Sequence, residues 1–291
     1  MQFGTSVHAL TDWSAEVKPF RQVLAEAAGL GFAQIMLMNL PGQAALTADN
    51  DPQGAMIDLE QSDISLVRDA VADAELQVCC VYQGLMNVGS EAEAAATAEG
   101  LMRLADLALG LQTDILLPNA GVAPEAKLPL VQKAELLDRL SRMVAEVLRR
   151  IPSHLKIAPD IHYGGVIETV ADCLCYFDQI PDPRAGITLN IGHMTTLGEE
   201  GWRLLERHPE RVHIVAWKDH LLQPPPEATH PIYSVELGTG DSPFERYARL
   251  LPPDGGPHKH LITFEHVPLA EKQAALGRSL QYLRKLWGET H

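Results

Sequence analysis

The chain is short of positive charge. It has 23 Lys and Arg against 38 Asp and Glu, a net charge of −15, and no segment gathers its cations into a stripe. Phosphate backbones and anionic membranes are bound through Lys/Arg clusters, so neither nucleic acid nor a membrane surface is an expected partner. Long hydrophobic runs are also missing. None approaches the roughly 18 apolar residues that a membrane helix needs. Met1-Gln2-Phe3-Gly4 shows no basic region followed by an apolar stretch of roughly 7–15 residues, so a cytoplasmic protein is expected. Cysteine is scarce, with four residues in all. Cys79 and Cys80 are adjacent in a strand-like run, which directs their side chains to opposite faces, and Cys173 and Cys175 diverge on a helical segment. Neither pair has the spacing of a zinc knuckle or a redox CxxC, and reduced, buried thiols are expected.

Glycine-rich phosphate loops are absent as well. The first strand-like run leads into His8-Ala9-Leu10-Thr11-Asp12, and no GxGxxG or Walker pattern occurs anywhere. A nucleotide cofactor is therefore not expected. Low-complexity tracts and internal repeats are missing too, and 46% apolar with 21% charged residues is an ordinary globular composition. The length of 291 residues suits a single domain spanning 1–291.

Short β-branched or apolar runs alternate with longer amphipathic stretches. Strands are expected near 2–8, 33–38, 77–82, 114–118, 155–161, 186–191, 212–217 and 261–265. Helices are expected near 17–30, 62–75, 90–109, 125–151, 166–178, 196–207, 243–251 and 269–287. Leu140, Met143, Val144, Val147 and Leu148 show the helical period in the longest of these. Eight βα units in succession argue for an α/β fold with a parallel sheet, and the count of eight favours closure into a (β/α)8 TIM barrel. Longer loops are expected at 39–61, 219–241 and 252–257. In a barrel the first two would roof the mouth at the C-terminal strand ends, and the third would lie at the opposite end.

Polar residues gather where strands should end. The candidates are His8, Asn119, Asp160 and His162, Asn190 and His193, Lys218 and Asp219 with His220, and Glu265 with His266. Alternation places Asp160 and His162 on one strand face, and Ala216 and Lys218 on one face of another. A lone histidine beside a strand end is more often a hydrogen-bonded surface group. A barrel, however, would bring all these ends to one pocket, making them a single site.

The same residues carry a family resemblance. Arg211-Val212-His213-Ile214-Val215-Ala216-Trp217-Lys218-Asp219 resembles the seventh-strand motif of the xylose isomerase-like TIM-barrel family of sugar isomerases and epimerases. Asp160-Ile161-His162-Tyr163-Gly164-Gly165 is similar to its fifth-strand motif, and Asn190-Ile191-Gly192-His193 to its sixth. Glu236-Leu237-Gly238-Thr239-Gly240-Asp241 and Ile262-Thr263-Phe264-Glu265-His266 resemble its Leu-Gly-x-Gly-Asp loop and eighth strand. The resemblance implies four ligands to one divalent cation, carried over as Asp160, Asn190, Ala216 and Glu265. Ala216 stands where the family has histidine and offers no donor. Mn²⁺ or Mg²⁺ could still be held by Asp160, Asn190, Glu265 and waters, with His162 or His193 recruited.

The resemblance further implies proton abstraction beside a carbonyl of a small carbohydrate or keto-sugar, by an isomerase or epimerase. Glu265, Asp160, Lys218 and His193 are the candidate catalytic residues, and His8, His162, Asn119 and Trp217 the candidate substrate contacts. Trp13 and Trp217 lie at or near strand ends, where an indole can stack on a sugar face. Lys218 could supply the positive charge that a metal otherwise provides. A lyase or dehydratase starting from the same abstraction is an alternative, as is a non-catalytic carbohydrate-binding barrel or partner subunit. The zinc endonuclease branch of the fold is disfavoured by Ala216 and the acidic charge. A free sugar is expected rather than a phosphorylated one, because Lys218 is the only cation at the strand ends. Self-association is left open.

Overall fold

Runs such as Val212-His213-Ile214-Val215 and Ile115-Leu116-Leu117 set β-branched and aliphatic side chains on both faces of a strand. Such strands are stable only where both faces are covered, as in a parallel sheet walled by helices. The computed structural model describes residues 1–11, 18–52, 56–84, 86–119, 129–228, 230–252, 254–264 and 272–288. The parallel strands are β1 (Phe3–Ser6), β2 (Gln34–Asn39), β3 (Gln77–Gln83), β4 (Ile115–Pro118), β5 (Lys156–Ile157), β6 (Ile187–Asn190) and β7 (Val212–Trp217). A small antiparallel ribbon, β8 (Asp219–His220) with β9 (Ser234–Val235), precedes the eighth barrel strand, β10 (Lys259–Ile262).

The strands are hydrogen-bonded in the order β5-β4-β3-β2-β1-β10-β7-β6. Single parallel bridges between Ile157 and Ala185 and between Asp160 and Thr188 link the two ends of that series. The result is an eight-stranded, nearly closed barrel in one domain. Every residue of β2, β4, β6 and β7 is buried.

Helices fill the intervals: α1 (Phe20–Gly29), α2 (Ile64–Asp73), α3 (Glu91–Gly110), α4 (Leu130–Arg150), α5 (Val170–Gln179), α6 (Ile191–Leu197), α7 (Trp202–Arg207), α8 (Phe244–Ala248) and α9 (Lys272–Leu286). Local chemistry marks their starts. Asp63 accepts hydrogen bonds from the amides of Ser65 and Leu66, and Thr169 forms a reciprocal capping box with Asp172. In α4 the periodic Leu140, Met143, Val144, Val147 and Leu148 form the buried stripe. No helix among the described residues is long and apolar enough to cross a membrane.

Several expectations need correction. The helix expected over 196–207 is two helices, because Gly198 adopts φ 69° and caps α6 in the left-handed region. The strand expected over 155–161 forms a ladder only at Lys156–Ile157. Pro159 has no N–H to give, and pairing continues as bridges from Asp160 to Asn119 and Thr188. The eighth strand begins two residues earlier than expected, and 265–271 lie outside the described residues. Cys79 and Cys80 do not diverge fully. The β2–β3 register shifts beside them, pairing Val78 with Ile35 and Cys80 with Met36, and their sulfurs lie 3.9 Å apart. All four thiols are free, but Cys175 is exposed rather than buried.

Candidate active site at the barrel mouth

A cavity of about 480 Å³ opens at the C-terminal ends of the strands. Strand alternation delivers its lining. Met36 and Met38 come from β2, Leu117 and Asn119 from β4 and just beyond it, and Ala216 and Lys218 from β7 and the residue after it. Asp160, His162, Thr188, Thr263, His8 and Tyr82 add polar groups to the wall, together with Lys272 at the start of α9. Of the expected site residues, the structure therefore brings His8, Asn119, Asp160, His162 and Lys218 to one cavity.

Two further expected residues stand behind them. Asn190 is fully buried and its Nδ2 donates to Asp160 Oδ1 at 3.1 Å, which orients the carboxylate. Asn190 Oδ1 is buried with no hydrogen-bond partner among the described residues. His193 is fully buried, with its ring 3.8 Å from that of His162, and it accepts the Tyr163 amide on Nδ1 at 3.2 Å. That bond leaves the proton of a neutral His193 on Nε2. His162 pairs its own Nδ1 with the Tyr163 carbonyl at 2.9 Å, so it donates from that nitrogen. His220 continues the row, 5.2 Å from His193, and pairs through Nδ1 with Thr196 Oγ1 at 2.9 Å.

The Lys-Asp pair divides its labour. Lys218 lines the cavity and is only 3% exposed. Asp219 turns away into a cradle of backbone amides: Gly238 at 2.8 Å, Gly240 at 2.9 Å and Ser242 at 3.0 Å. Burial raises its pKa, while these N–H groups act in the opposite direction. A Cβ on Gly240 would meet Asp219 Oδ1, and one on Gly192 would lie 2.6 Å from His220 Nε2 and 2.8 Å from Lys218 Cβ. Glycine is thus what allows the loop at 236–241 and the start of α6 to close on the lysine strand. A second tie holds the turn after Asp160. Lys133 bonds Glu168 at 2.7 Å and Asp172 at 2.8 Å, and Glu168 accepts the Gly164 amide.

Trp217 is placed elsewhere. Alternation points it to the opposite side of β7 from Ala216 and Lys218, where it is fully buried. It stacks on His260, with Phe244 and Trp287 nearby, and donates Nε1 to His260 Nδ1 at 3.1 Å. Glu265, His266 and Trp13 lie outside the described residues. Sequence reasoning passed over Lys272 because it belongs to a helix rather than a strand end, and over Met36, Met38 and Leu117 because they read simply as core. Period-2 alignment with Asn119 was the signal available for Leu117.

The family described as "Xylose isomerase-like TIM barrel" matches residues 24–286. The chain belongs to that family. No curated protein matches it at the sequence level. Among solved structures, this xylose isomerase-like barrel resembles an L-ribulose 3-epimerase with a TM-score of 0.74 at 16% identity, over 99% of this chain and 95% of the other. It resembles the probable 3-DHS dehydratase AsbF of Bacillus anthracis, involved in petrobactin synthesis, with a TM-score of 0.69 at 15% identity, over 97% and 98%. It also resembles the IOLI protein with a bound zinc atom, with a TM-score of 0.73 at 13% identity, over 100% and 99%. At these identities the likeness establishes the fold.

A structural neighbour with zinc raises the question of whether this barrel's residues suit a metal. The Asn190 amide turns its N–H to Asp160 and leaves its own Oδ1 buried without a hydrogen-bond partner among the described residues. Ala216 has no donor atom. Among the described residues no group of three His, Cys, Asp or Glu side chains is placed to hold a metal ion. The described donors alone do not make up the four-ligand arrangement, and Glu265, its remaining carboxylate, lies outside the described residues.

Proposed function

We propose that the barrel mouth is an enzyme active site that abstracts a proton next to a carbonyl of a small oxygenated substrate of the carbohydrate or keto-sugar kind. The resulting reaction is an isomerisation or epimerisation. The observation that carries this reading is the convergence of Asp160, His162, His8, Asn119 and Lys218 on one cavity of suitable size. A drifted, non-catalytic binding barrel has no need of an oriented carboxylate and a buried ammonium lining one cavity.

In this reading Asp160 takes the proton. Its Oδ1 is held by Asn190, so the carboxylate is positioned before substrate arrives. Lys218, almost wholly buried, stabilises the negative charge that develops on the carbonyl oxygen as the proton leaves. His162, oriented by the Tyr163 carbonyl and backed by His193, holds or relays a proton at a substrate hydroxyl, and His8 and Asn119 bind further oxygens. Returning the proton to the neighbouring carbon or to the opposite face completes an isomerisation or an epimerisation. Loss of a β-hydroxyl from the same intermediate would give a dehydratase, and the shared fold with AsbF makes that the second reading.

Incubation with a panel of ketoses and keto-sugars in D₂O, read by mass spectrometry, tests the proposal. Wild type is expected to wash deuterium into the carbon beside the carbonyl of at least one member. Asp160→Asn should slow that exchange at least about 100-fold, a barrier change of about 2.7 kcal/mol. Exchange that is unaffected by Asp160→Asn contradicts the assignment of the base.

A further inference from the structure

The outer face of α4 carries an ordered set of charges that the mouth does not use. Asp138, Arg142, Glu146 and Arg149 follow at intervals of four, four and three residues, so they share one face of the helix. Asp138, Arg142 and Glu146 are each more than half exposed. Arg149 is exposed too, and among the described residues it makes no hydrogen bond or ion pair. Small residues lie on both sides of this ridge. Ser141 and Ala145 line a cleft of about 430 Å³ that reaches Gln179 of α5. Ala94, Ala95 and Ala98 of α3 line another of about 210 Å³.

The local balance of charge is the second observation. α4 holds five cations (Lys133, Arg139, Arg142, Arg149 and Arg150) against three anions (Glu135, Asp138 and Glu146), a balance of +2 in a chain of −15. It therefore offers positive charge to the acidic body of another copy. The order of the signs is the third observation. Along the ridge it runs −, +, −, +, and read backwards it runs +, −, +, −. An antiparallel copy meets the ridge with the opposite sign at every position, whereas a parallel copy sets like against like. Asp138 faces Arg149 of the second copy and Arg142 faces its Glu146, each twice by symmetry. The midpoint of 138 and 149 and that of 142 and 146 differ by half a residue, under about 1 Å along the helix.

We propose that the outer face of α4 is a homodimer contact, in which two copies pack their α4 helices antiparallel about a two-fold axis level with Val144. Arg149, which is idle within one chain, gains Asp138 of the second copy. Within one chain Arg142 bonds Asp138 and Glu91 at 3.0 Å each, and Glu146 lies 4.0 Å from Arg150. Those exposed bonds exchange for cross-copy ones at little cost. Together α3, α4 and α5 present a surface about 30 Å long and about 25 Å wide, close to the roughly 800 Å² per partner of a standard interface. Exposed ion pairs are individually weak and screened by salt, so the dimer is a weak one that salt dissociates. The contact lies on the outside of the barrel wall and does not depend on the reaction at the mouth.

Sedimentation velocity of the full chain at about 2–200 µM, in about 50 mM and about 0.5 M NaCl, reads the monomer–dimer equilibrium. Wild type is expected to dimerise within that range at low salt, with a dissociation constant at least about tenfold higher at high salt. Arg149→Asp sets carboxylate against carboxylate across the axis, and Asp138→Arg sets guanidinium against guanidinium. Each should weaken association at least about tenfold. Both positions are exposed, so neither variant disturbs the core. An equimolar mixture of the two variants restores both pairs in a heterodimer and should recover wild-type affinity to within about threefold. A wild type that stays monomeric at the highest concentration, a dimer indifferent to salt or to both variants, or weakened variants that do not recover on mixing overturns the inference.

Discussion

Two histidines remote from the mouth set a pH limit on the fold. Burial pushes the pKa of His213 and of His260 down to about 4, despite hydrogen bonds to the carbonyls of Arg184 and Gly255. Both rings are neutral in the folded chain above that value and titrate near 6.5 when unfolded. Below pH 6.5 the unfolded chain binds protons that the folded chain refuses, so stability declines as pH falls from 6.5 towards 4. Each ring contributes about 3 kcal/mol to that loss. His260→Gln keeps a polar partner for Trp217 and should remove one ring's share of the decline in urea midpoints, the neighbouring His258, whose pKa burial also lowers, keeping its own. Parallel pH profiles for variant and wild type would reject this origin. At the mouth, Gly192 is the corresponding sensitive residue. A methyl there meets His220 and Lys218 Cβ below 3.0 Å, so Gly192→Ala should cost about 1–3 kcal/mol in stability. It should also slow turnover by displacing Lys218. Unchanged stability and rate together would show that the contact yields freely.

Elements bring these side chains into place, and two loop anchors carry most of that task. Asp219 accepts three amides from the loop at 238–242, so Asp219→Ala leaves three N–H groups without their partner. A loss of about 2–4 kcal/mol is expected in chemical denaturation, with faster amide exchange confined to that loop. Lys133 plays the equivalent part for the turn at 162–165. Burial works against its charge, but bonds to Asp172 and Glu168 outweigh that and raise its pKa. Lys133→Met leaves two carboxylates facing each other and should destabilise by about 2 kcal/mol. A smaller effect than about 0.5 kcal/mol would place the pair among ordinary surface bridges. Neither anchor is foreseeable from spacing alone, because each joins elements far apart in sequence.

For the whole molecule, the alternation of β-branched runs with 3.6-period stretches was enough to read a barrel, since few folds use eight βα units. The mouth was legible to the extent that polar residues end the strands. Asp160, His162 and Lys218 follow from alternation once the barrel is closed. Depth was not legible. Periodicity cannot distinguish His162, on the cavity wall, from His193, packed behind it. A strand-end tryptophan also reads as a sugar-stacking surface until the face of its strand is known, and Trp217 faces away. Lys272 was invisible because its place depends on how α9 packs over Thr11. The same limit applied to the metal. Ala216 could be read as a missing donor, whereas the N–H between Asn190 and Asp160 needed coordinates.

In the proposed mechanism a buried ammonium, Lys218, does the electrostatic work of the site. That role is tested most directly by the deuterium-exchange rate of Lys218→Met against wild type, both freed of metal by chelation and then assayed with and without Mn²⁺. The predicted result is a loss of more than tenfold in the variant, a barrier change above about 1.4 kcal/mol, with no rescue by Mn²⁺ and less than a twofold effect of Mn²⁺ on wild type. Retention of more than a tenth of the rate in Lys218→Met, or a wild type that is inactive until Mn²⁺ is added, would contradict it.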